Sequence, residues 1–263
     1  RNLRNILEAD VDDNTIKDAA ERIGNAHEVL KSKQFPFRYL SAYRELKGNS
    51  NGKVSVVIDA LEDAIQASAQ NIKGFTKDTH ALIACDVSGS MYSSVSARSS
   101  VKNYDIGLVL AMLLRNRCEN VVTGIFGDTW KLVNMPSKSI LGNVDQMYNY
   151  ANEVGYSTNG YKVIEYLRTN NIKMDKVMMF TDCQMWNSYG SNQTIKSEWI
   201  KYKEIAPEAH LYLFDLAGYG HAPLEMPSKD VTLIAGWSDR VFDMLDSIEH
   251  GADVLDKIKE IEL

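Results

Sequence analysis

Cysteine, proline and long apolar runs are scarce in this sequence. Its 263 residues include only five prolines and three cysteines, Cys85, Cys118 and Cys183. The cysteines are odd in number, far apart and without CxxC spacing, which argues against a disulfide framework and predicts a reducing, cytoplasmic compartment. No apolar run approaches the ~20 residues that cross a bilayer. None of the five histidines clusters with a cysteine at zinc-ligand spacing, so a structural zinc site is not expected.

Two catalytic signatures and a basic surface are also missing. The sequence has no glycine-rich phosphate loop of the GxxxxGK[ST] type and no visible histidine base for a serine nucleophile. Residues 1–78 contain 12 basic and 12 acidic side chains, which leaves 17 basic and 23 acidic ones in the remainder. An acidic second part is a poor general binder of phosphate backbones, so any RNA contact would need a local patch or the first part.

The first part of the chain has the apolar spacing of helices. Its pattern predicts three or four helices and no strands over residues 1–77, including a long amphipathic stretch over residues 56–72. The pair Phe35-Pro36 should interrupt a helix, because proline disfavours the α conformation in the residue before it. The composition of this segment predicts a helical bundle that packs on its neighbour.

From residue 79 onward the hydrophobic pattern changes: short apolar runs alternate with segments of helical periodicity. Strands are predicted over residues 79–86, 120–126, 130–133, 176–181, 210–215 and 231–235, with helices over residues 105–117, 144–153, 160–170, 195–205 and beyond 239. This alternation predicts an α/β fold with a doubly wound, mostly parallel six-stranded sheet. The expected strand order is third, second, first, fourth, fifth, sixth. Only the third strand should be antiparallel, because residues 127–129 are too few for a crossover helix and fit a hairpin.

The motif Asp86-Val87-Ser88-Gly89-Ser90-Met91 follows directly on the first predicted strand. Three oxygen-bearing side chains at i, i+2 and i+4 converge when the chain turns, and the glycine permits that turn. One carboxylate and two hydroxyls are hard ligands that suit one divalent cation, Mg²⁺ by preference with Mn²⁺ or Ca²⁺ as alternatives. Two neutral hydroxyls leave such an ion electrophilic, so an external carboxylate could complete its coordination.

Two further polar positions belong at the same edge of the sheet. Thr158 lies in a polar loop before a predicted helix, and Asp182 ends the strand over residues 176–181. Ligands of open α/β sheets bind outside the carboxyl ends of strands, where the strand order reverses. Asp86 and Asp182 should therefore flank one crevice. The alternative roles are a helix N-cap for Thr158 and a turn or cap residue for Asp182.

At these residues the sequence resembles a known family. A DxSxS motif, a loop threonine and a strand-end Thr-Asp pair are similar to the metal-ion-dependent adhesion site of von Willebrand factor A-type domains, over about residues 78–250. The resemblance implies that Ser88 and Ser90 ligate the ion directly and Thr158 in one state. Asp86 and Asp182 would then act largely through water. We expect this domain to span residues 78–263.

The N-terminal helical segment indicates a more specific family. The segments RNLRNIL and KQFPFRYLSAY, followed by a helix that leads to DVSGSM, resemble the end of the TROVE module in the Ro autoantigen family, including its bacterial members. There, helical repeats form a ring, closed by the A-type domain, that binds Y RNAs and threads misfolded RNA ends. The resemblance implies a non-enzymatic ribonucleoprotein component that contacts such RNAs through its full-length form. We expect this chain to be its C-terminal part or a truncated relative. Arg1 and Arg4, one helical turn apart, are candidate RNA contacts, but their spacing favours a solvated helix face.

Two other functions remain open from the sequence. A magnesium-dependent phosphohydrolase could use a strand-end aspartate, but haloacid-dehalogenase-type sites require DxD and Ser88 replaces the second acid here. An extracellular A-domain adhesin is disfavoured by the free cysteines and by the helical first part. Two loops could contribute to recognition at the metal site. They are residues 92–103, with Arg98 and Lys102, and the aromatic segment that follows Asp182, with Trp186 and Tyr189. The alternatives are a solvated loop over residues 92–103 and an inward-packed Trp186.

Overall fold

The computed structural model describes residues 2–9, 11–49, 52–71, 75–97, 99–136, 138–182, 194–217 and 229–236. The helices predicted beyond residue 239 lie outside these ranges, as do Arg1, Arg98, Trp186 and Tyr189. None of the helices in the described ranges is long and apolar enough to cross a membrane.

The N-terminal part is helical, as predicted, but the expected number of helices was wrong. Residues 2–71 form five α-helices and a short 3₁₀ turn: α1 (Asn2–Glu8), α2 (Asp13–Gly24), α3 (Ala26–Ser32), α4 (Pro36–Leu46), α5 (Val54–Ser68) and the turn Ala69–Asn71. The extra boundary arises at Asn25, whose extended backbone ends α2 and whose side chain accepts a hydrogen bond from the Glu28 N–H at 3.1 Å to begin α3.

The break predicted at Phe35-Pro36 is confirmed. Helix α3 ends at Ser32, Phe35 is extended with φ −84° and ψ 152°, and α4 begins at Pro36. Proline suits the first helical position because the N–H that it lacks would have no partner inside the helix. Helix α3 itself already ends before this pair, where Lys33 adopts a left-handed conformation, and Pro36 starts the next helix.

The remainder forms the predicted α/β fold. Its strands are β1 (His80–Asp86), β2 (Asn120–Phe126), β3 (Trp130–Leu132), β4 (Lys176–Thr181), β5 (His210–Asp215) and β6 (Val231–Ala235). The sheet order is β3-β2-β1-β4-β5-β6, and only β3 pairs in the antiparallel sense. Both the strand order and the antiparallel hairpin are confirmed.

Helices cover both faces of this sheet. They are α6 (Asn103–Arg117), α7 (Ile140–Asn149), α8 (Ala151–Val154), α9 (Tyr161–Thr169) and α10 (Ile195–Lys203). Alternate residues of β1 divide between two cores: Ala81, Ile83 and Cys85 pack with α6, α7 and the N-terminal helices, whereas Leu82 and Ala84 pack with α9 and α10. The N-terminal helices thus share one core with the first face.

The helix predicted over residues 144–153 is divided and begins earlier. Helix α7 starts at Ile140, where the Glu62 carboxylate of α5 accepts hydrogen bonds from the backbone N–H groups of Ile140 and Leu141. A carboxylate at a helix N-terminus satisfies donors that have no partner in the helix and complements the helix dipole. Because this cap comes from a distant part of the chain, the local sequence carried no signal for it.

Candidate metal centre

Asp86 ends β1 and is completely buried. The Thr181 hydroxyl at the end of the adjacent strand β4 donates to its Oδ2 at 2.7 Å, and the Ser88 N–H donates to its Oδ1 at 2.8 Å. Two donors from two strand ends therefore fix both oxygens of this carboxylate. The sequence reasoning noted Thr181 beside Asp182 but gave it no role of its own.

The buried position of Asp86 disfavours its charged form. Burial raises the pKa of the Asp86 carboxyl to about 7; hydrogen bonds from Ser88 and Thr181 oppose the shift, while the negative charge of Asp182 adds to it. Within the described ranges, no lysine, arginine or histidine forms an ion pair with Asp86. A bound cation would relieve both the desolvation and the repulsion between the two carboxylates.

The two serines of the motif lie side by side. The chain turns after β1, where the Val87 N–H donates to the Phe126 carbonyl at 3.2 Å, and then enters the 3₁₀ turn Gly89–Tyr92. Ser88 Oγ and Ser90 Oγ are 3.2 Å apart. Two hydroxyl oxygens at this separation suit adjacent positions around a small cation.

Asp182 directly follows β4 and is 2 % exposed. Strands β1 and β4 are parallel neighbours, so their carboxyl ends meet at the same edge of the sheet. The charge of Asp182 also contributes to the raised pKa of Asp86. The structure thus places these two carboxylates at the same edge of the sheet. The segment after Asp182, with Cys183 and Trp186, lies outside the described residues.

Thr158 lies in the loop between α8 and α9, which is held against the turn that follows β2. Its loop is tied to the β2–β3 turn: the Asn159 N–H donates to the Gly127 carbonyl at 2.9 Å, and the Ser157 N–H donates to Asp128 Oδ1 at 2.8 Å. Thr158 is 5 % exposed, and Gly160 is the N-cap of α9. The alternative role of Thr158 as the helix cap is therefore wrong. Its contact with an ion stays a prediction.

The donor chemistry fits the cation that the fold family implies. Asp86 and Asp182 supply carboxylates, and Ser88, Ser90 and Thr158 supply hydroxyls, which are the hard oxygen ligands that Mg²⁺ and Mn²⁺ prefer. Among the described residues, no group of three or more histidine, cysteine, aspartate or glutamate side chains could hold a metal. With two serine hydroxyls as direct ligands, a site of this kind would leave coordination positions for water or for a ligand.

The sequence reasoning missed two structural features around this site. An aromatic stack joins Tyr92, which ends the 3₁₀ turn, to Tyr104 of α6 and Tyr148 of α7. An ionic cluster on the same two helices joins Arg44 of α4 to Asp105 of α6 and to Asp145 of α7. Both features pair residues that are distant along the chain, so no local pattern could have predicted them.

Comparisons with known proteins agree with the fold. The family model for the Ro60 vWA domain matches residues 80–222, and the model for the TROVE domain matches residues 1–73. The crystal structure of the Deinococcus radiodurans Ro (RSR) protein superposes with a TM-score of 0.71 at 18% identity, covering 90% of this chain and 48% of that one. This chain therefore spans about half the length of that protein.

A more distant structural neighbour is an aerotolerance-related membrane protein from Bacteroides fragilis. It has a TM-score of 0.38 at 10% identity and covers 65% of this chain and 88% of that one. No curated protein matches the sequence.

Proposed function

Because this chain belongs to the Ro60 vWA domain family and carries TROVE sequence ahead of that domain, we propose that it is part of a Ro-like ribonucleoprotein component. In this proposal the helical segment belongs to the RNA-binding part of the protein. The A-type domain binds a protein or another ligand through a divalent cation. The role is binding and not catalysis, and the compartment is the cytoplasm.

The proposed metal dependence is supported by one observation above all. Asp86 and Asp182 are both buried at neighbouring strand ends, and the partners described for Asp86 are neutral donors. Two buried carboxylates in one crevice are costly unless a cation compensates them. A bound Mg²⁺ would supply that charge, with Ser88 and Ser90 as direct ligands, Thr158 as a state-dependent ligand, and the aspartates as outer, orienting groups.

The ligand of the metal site is proposed to offer a carboxylate. The candidate protein ligands in direct contact with the ion are neutral hydroxyls, so the ion keeps most of its charge and attracts an anionic oxygen into an open position. The RNA partners, Y RNA-like and misfolded RNAs, are proposed for the full-length protein. Their contacts would lie mainly on ring helices, since the A-type half has 17 basic and 23 acidic side chains.

Calorimetric titration with Mg²⁺ or Mn²⁺ tests this proposal. The wild-type chain should bind one ion, and Asp86→Ala should weaken binding by about 10–100-fold, the range typical of lost orienting groups around metals. Asp175→Ala is a matched control, because Asp175 accepts the His80 N–H at 2.9 Å at the opposite end of the same two strands. Its affinity should match that of the wild type.

Two results would reject the proposal. Undiminished metal binding by Asp86→Ala, with unchanged circular dichroism, would remove the site from these residues. Turnover of a generic phosphoester by the Mg²⁺-loaded chain, lost in Asp86→Ala, would make the protein a hydrolase.

A further inference from the structure

The two most exposed aromatic side chains in the described part of the chain both lie next to the candidate metal centre. Tyr92 is 53 % exposed and Tyr156 is 59 % exposed. Each is two residues away from a predicted ligand, Ser90 or Thr158. Large aromatic side chains at the rim of an open site are typical of recognition surfaces and not of a solvated face.

These rings form one surface with Tyr148. The ring centroid of Tyr92 is 5.9 Å from that of Tyr148 and 5.9 Å from that of Tyr104. Tyr104 and Tyr148 stack at 3.9 Å, and Tyr104 is only 7 % exposed. Tyr156 is tied to the same region, because its hydroxyl donates a hydrogen bond to Asn152 of α8, the helix that directly follows α7 with Tyr148. Burial is the main cause that raises the pKa of Tyr148, and Tyr92 and Tyr156 add to that shift. Tyr92, Tyr148 and Tyr156 are called the tyrosine surface below.

The tyrosine surface is held in place before any ligand arrives. Tyr92 closes a 3₁₀ turn that is anchored by the fully buried Met91, and Tyr104 supports its ring from below. Tyr156 donates a hydrogen bond to Asn152 Oδ1. Ordered aromatic side chains lose little conformational entropy when they bind a partner, which favours contacts with a protein.

The charges around this surface select the chemistry of the partner. The Lys102 ammonium lies 4.8 Å from the Tyr92 ring centroid, so it places a positive charge beside this ring, which stays 53 % exposed. Together with the proposed cation it disfavours a basic side chain and favours a carboxylate. A nucleic acid would bring a row of phosphates to a half of the chain in which acidic side chains outnumber basic ones by 23 to 17. A single carboxylate meets no such repulsion.

We propose that the tyrosine surface recognises an acidic segment of a protein partner in which an aromatic side chain directly follows the carboxylate residue. The carboxylate reaches the metal site, and the aromatic ring packs against Tyr92 and Tyr156. This inference rests on the proposed metal-dependent function. It adds a specificity determinant that the metal site alone does not provide.

The test titrates the Mg²⁺-loaded chain by NMR with three blocked tetrapeptides, Gly-Asp-Trp-Gly, Gly-Asp-Gly-Gly and Gly-Asn-Trp-Gly. An aromatic pair contributes about 0.5–1.5 kcal/mol, so the Asp-Trp peptide should bind about 2–12-fold more tightly than the Asp-Gly peptide. The Asn-Trp peptide should bind far more weakly than either. Tyr92→Ala and Tyr156→Ala should abolish the preference for tryptophan without changing the affinity for Mg²⁺.

Tyr150→Ala is the matched control. Tyr150 is also an exposed tyrosine, at 37 %, and a lysine also lies over its ring. That lysine is Lys131 of the edge strand β3, 5.2 Å from the ring centroid. This variant should keep the full preference. An equal loss in Tyr150→Ala would show a general surface effect and overturn the inference.

The remaining outcomes are separable. If the wild-type chain does not bind Mg²⁺ in the absence of peptide, both the proposed metal-dependent function and this inference are rejected. If Mg²⁺ binds but no peptide does, or the Asp-Trp peptide has no advantage, only the inference is overturned. Tighter binding of an oligouridylate than of any peptide, weakened by Tyr92→Ala, would assign the surface to single-stranded nucleic acid instead.

Discussion

Gly107 lies where helix α6 closely approaches strands β1 and β4. A Cβ atom at this position would lie 2.8 Å from Phe180 Cβ and 3.0 Å from Cys85 Sγ. Alanine normally favours a helix over glycine by about 1 kcal/mol. Here the contacts involve the base of one side chain and a fully buried sulfur, so neither neighbour can move aside easily.

Gly107→Ala should therefore destabilise the fold, by about 1–3 kcal/mol, because overpacking outweighs the gain in helix propensity. Urea unfolding monitored by circular dichroism measures this change. A variant as stable as the wild type, or more stable, would show that α6 and the sheet are less tightly packed than described.

Glu198 carries the clearest pH dependence at the scale of one residue. Its side chain is 0 % exposed, and its carboxylate pairs with Arg168 Nε at 2.9 Å and with Lys201 Nζ at 2.7 Å. Burial alone would raise the pKa of Glu198, but the two cations outweigh it, so the pKa lies below its ordinary value of 4.5. The folded state then binds fewer protons than the unfolded state over the range between the two pKa values.

The stabilisation from Glu198 is therefore complete above about pH 4.5 and is lost as the pH falls through the lower, folded-state pKa. Glu198→Gln should cost about 2 kcal/mol at pH 7, the scale of a hydrogen bond to a charged group, and less under strongly acidic conditions. Urea unfolding at pH 7 and pH 3 makes the comparison. An identical loss at both pH values would contradict the assignment.

At the scale of elements, one arginine joins the N-terminal helices to the A-type domain. Arg44 of α4 pairs with Asp105 at 2.5 Å and also with Asp145, and the side chains of Arg44 and Asp105 are 13 % and 0 % exposed. Asp105 in turn accepts the Lys102 N–H at 2.9 Å at the start of α6. The cluster thus links α4, α6 and α7.

Arg44→Met should cost about 3–5 kcal/mol in the free energy of unfolding, because it leaves the buried Asp105 carboxylate without its cation and Asp145 with Lys47 alone. Lys47→Met is the control: Lys47 pairs with the same Asp145 but is half exposed, so its loss should cost at most about 1 kcal/mol. Chemical denaturation of both variants tests the difference. Equal losses would mean that the buried arginine has no special role.

Elements were predictable where their signals are local. The alternation of strands and helices, the hairpin of β2 and β3, and the break at Phe35-Pro36 follow from spacing, loop length and proline chemistry. The start of α7 was not predictable, because its cap is Glu62, far away in the sequence. The same limit applies to the candidate site: its motif is local, whereas the Tyr92–Tyr104–Tyr148 stack and the Arg44 cluster form only in the folded chain.

At the scale of the whole molecule, the two family-matched regions share a core. One cluster of buried apolar residues extends from Leu7 and Ile16 in the helical segment to Phe214 and Ile234 in the sheet. The predicted boundary at residues 77–78 thus separates two sequence patterns that pack together. Loss of either part would expose apolar surface on the other.

Charge at this scale predicts weak RNA binding by the chain alone. Residues 1–78 are balanced, and the rest has an excess of six acidic side chains. A protein that neutralises several phosphates shows an affinity that falls steeply with salt. Filter binding of a structured RNA across a salt series should give weak binding with a shallow slope. Tight, strongly salt-dependent binding by residues 1–263 would show that a major RNA surface lies on this chain.

The central claim is that Asp86, Ser88, Ser90, Thr158 and Asp182 surround one divalent cation. Anomalous diffraction from crystals grown with Mn²⁺ tests it most directly. These crystals should show one strong peak beyond the carboxyl ends of β1 and β4, about 2.1 Å from Ser88 Oγ and Ser90 Oγ, with waters completing the shell. A map without a peak at these serines, or with its strongest peak elsewhere on the chain, would contradict it.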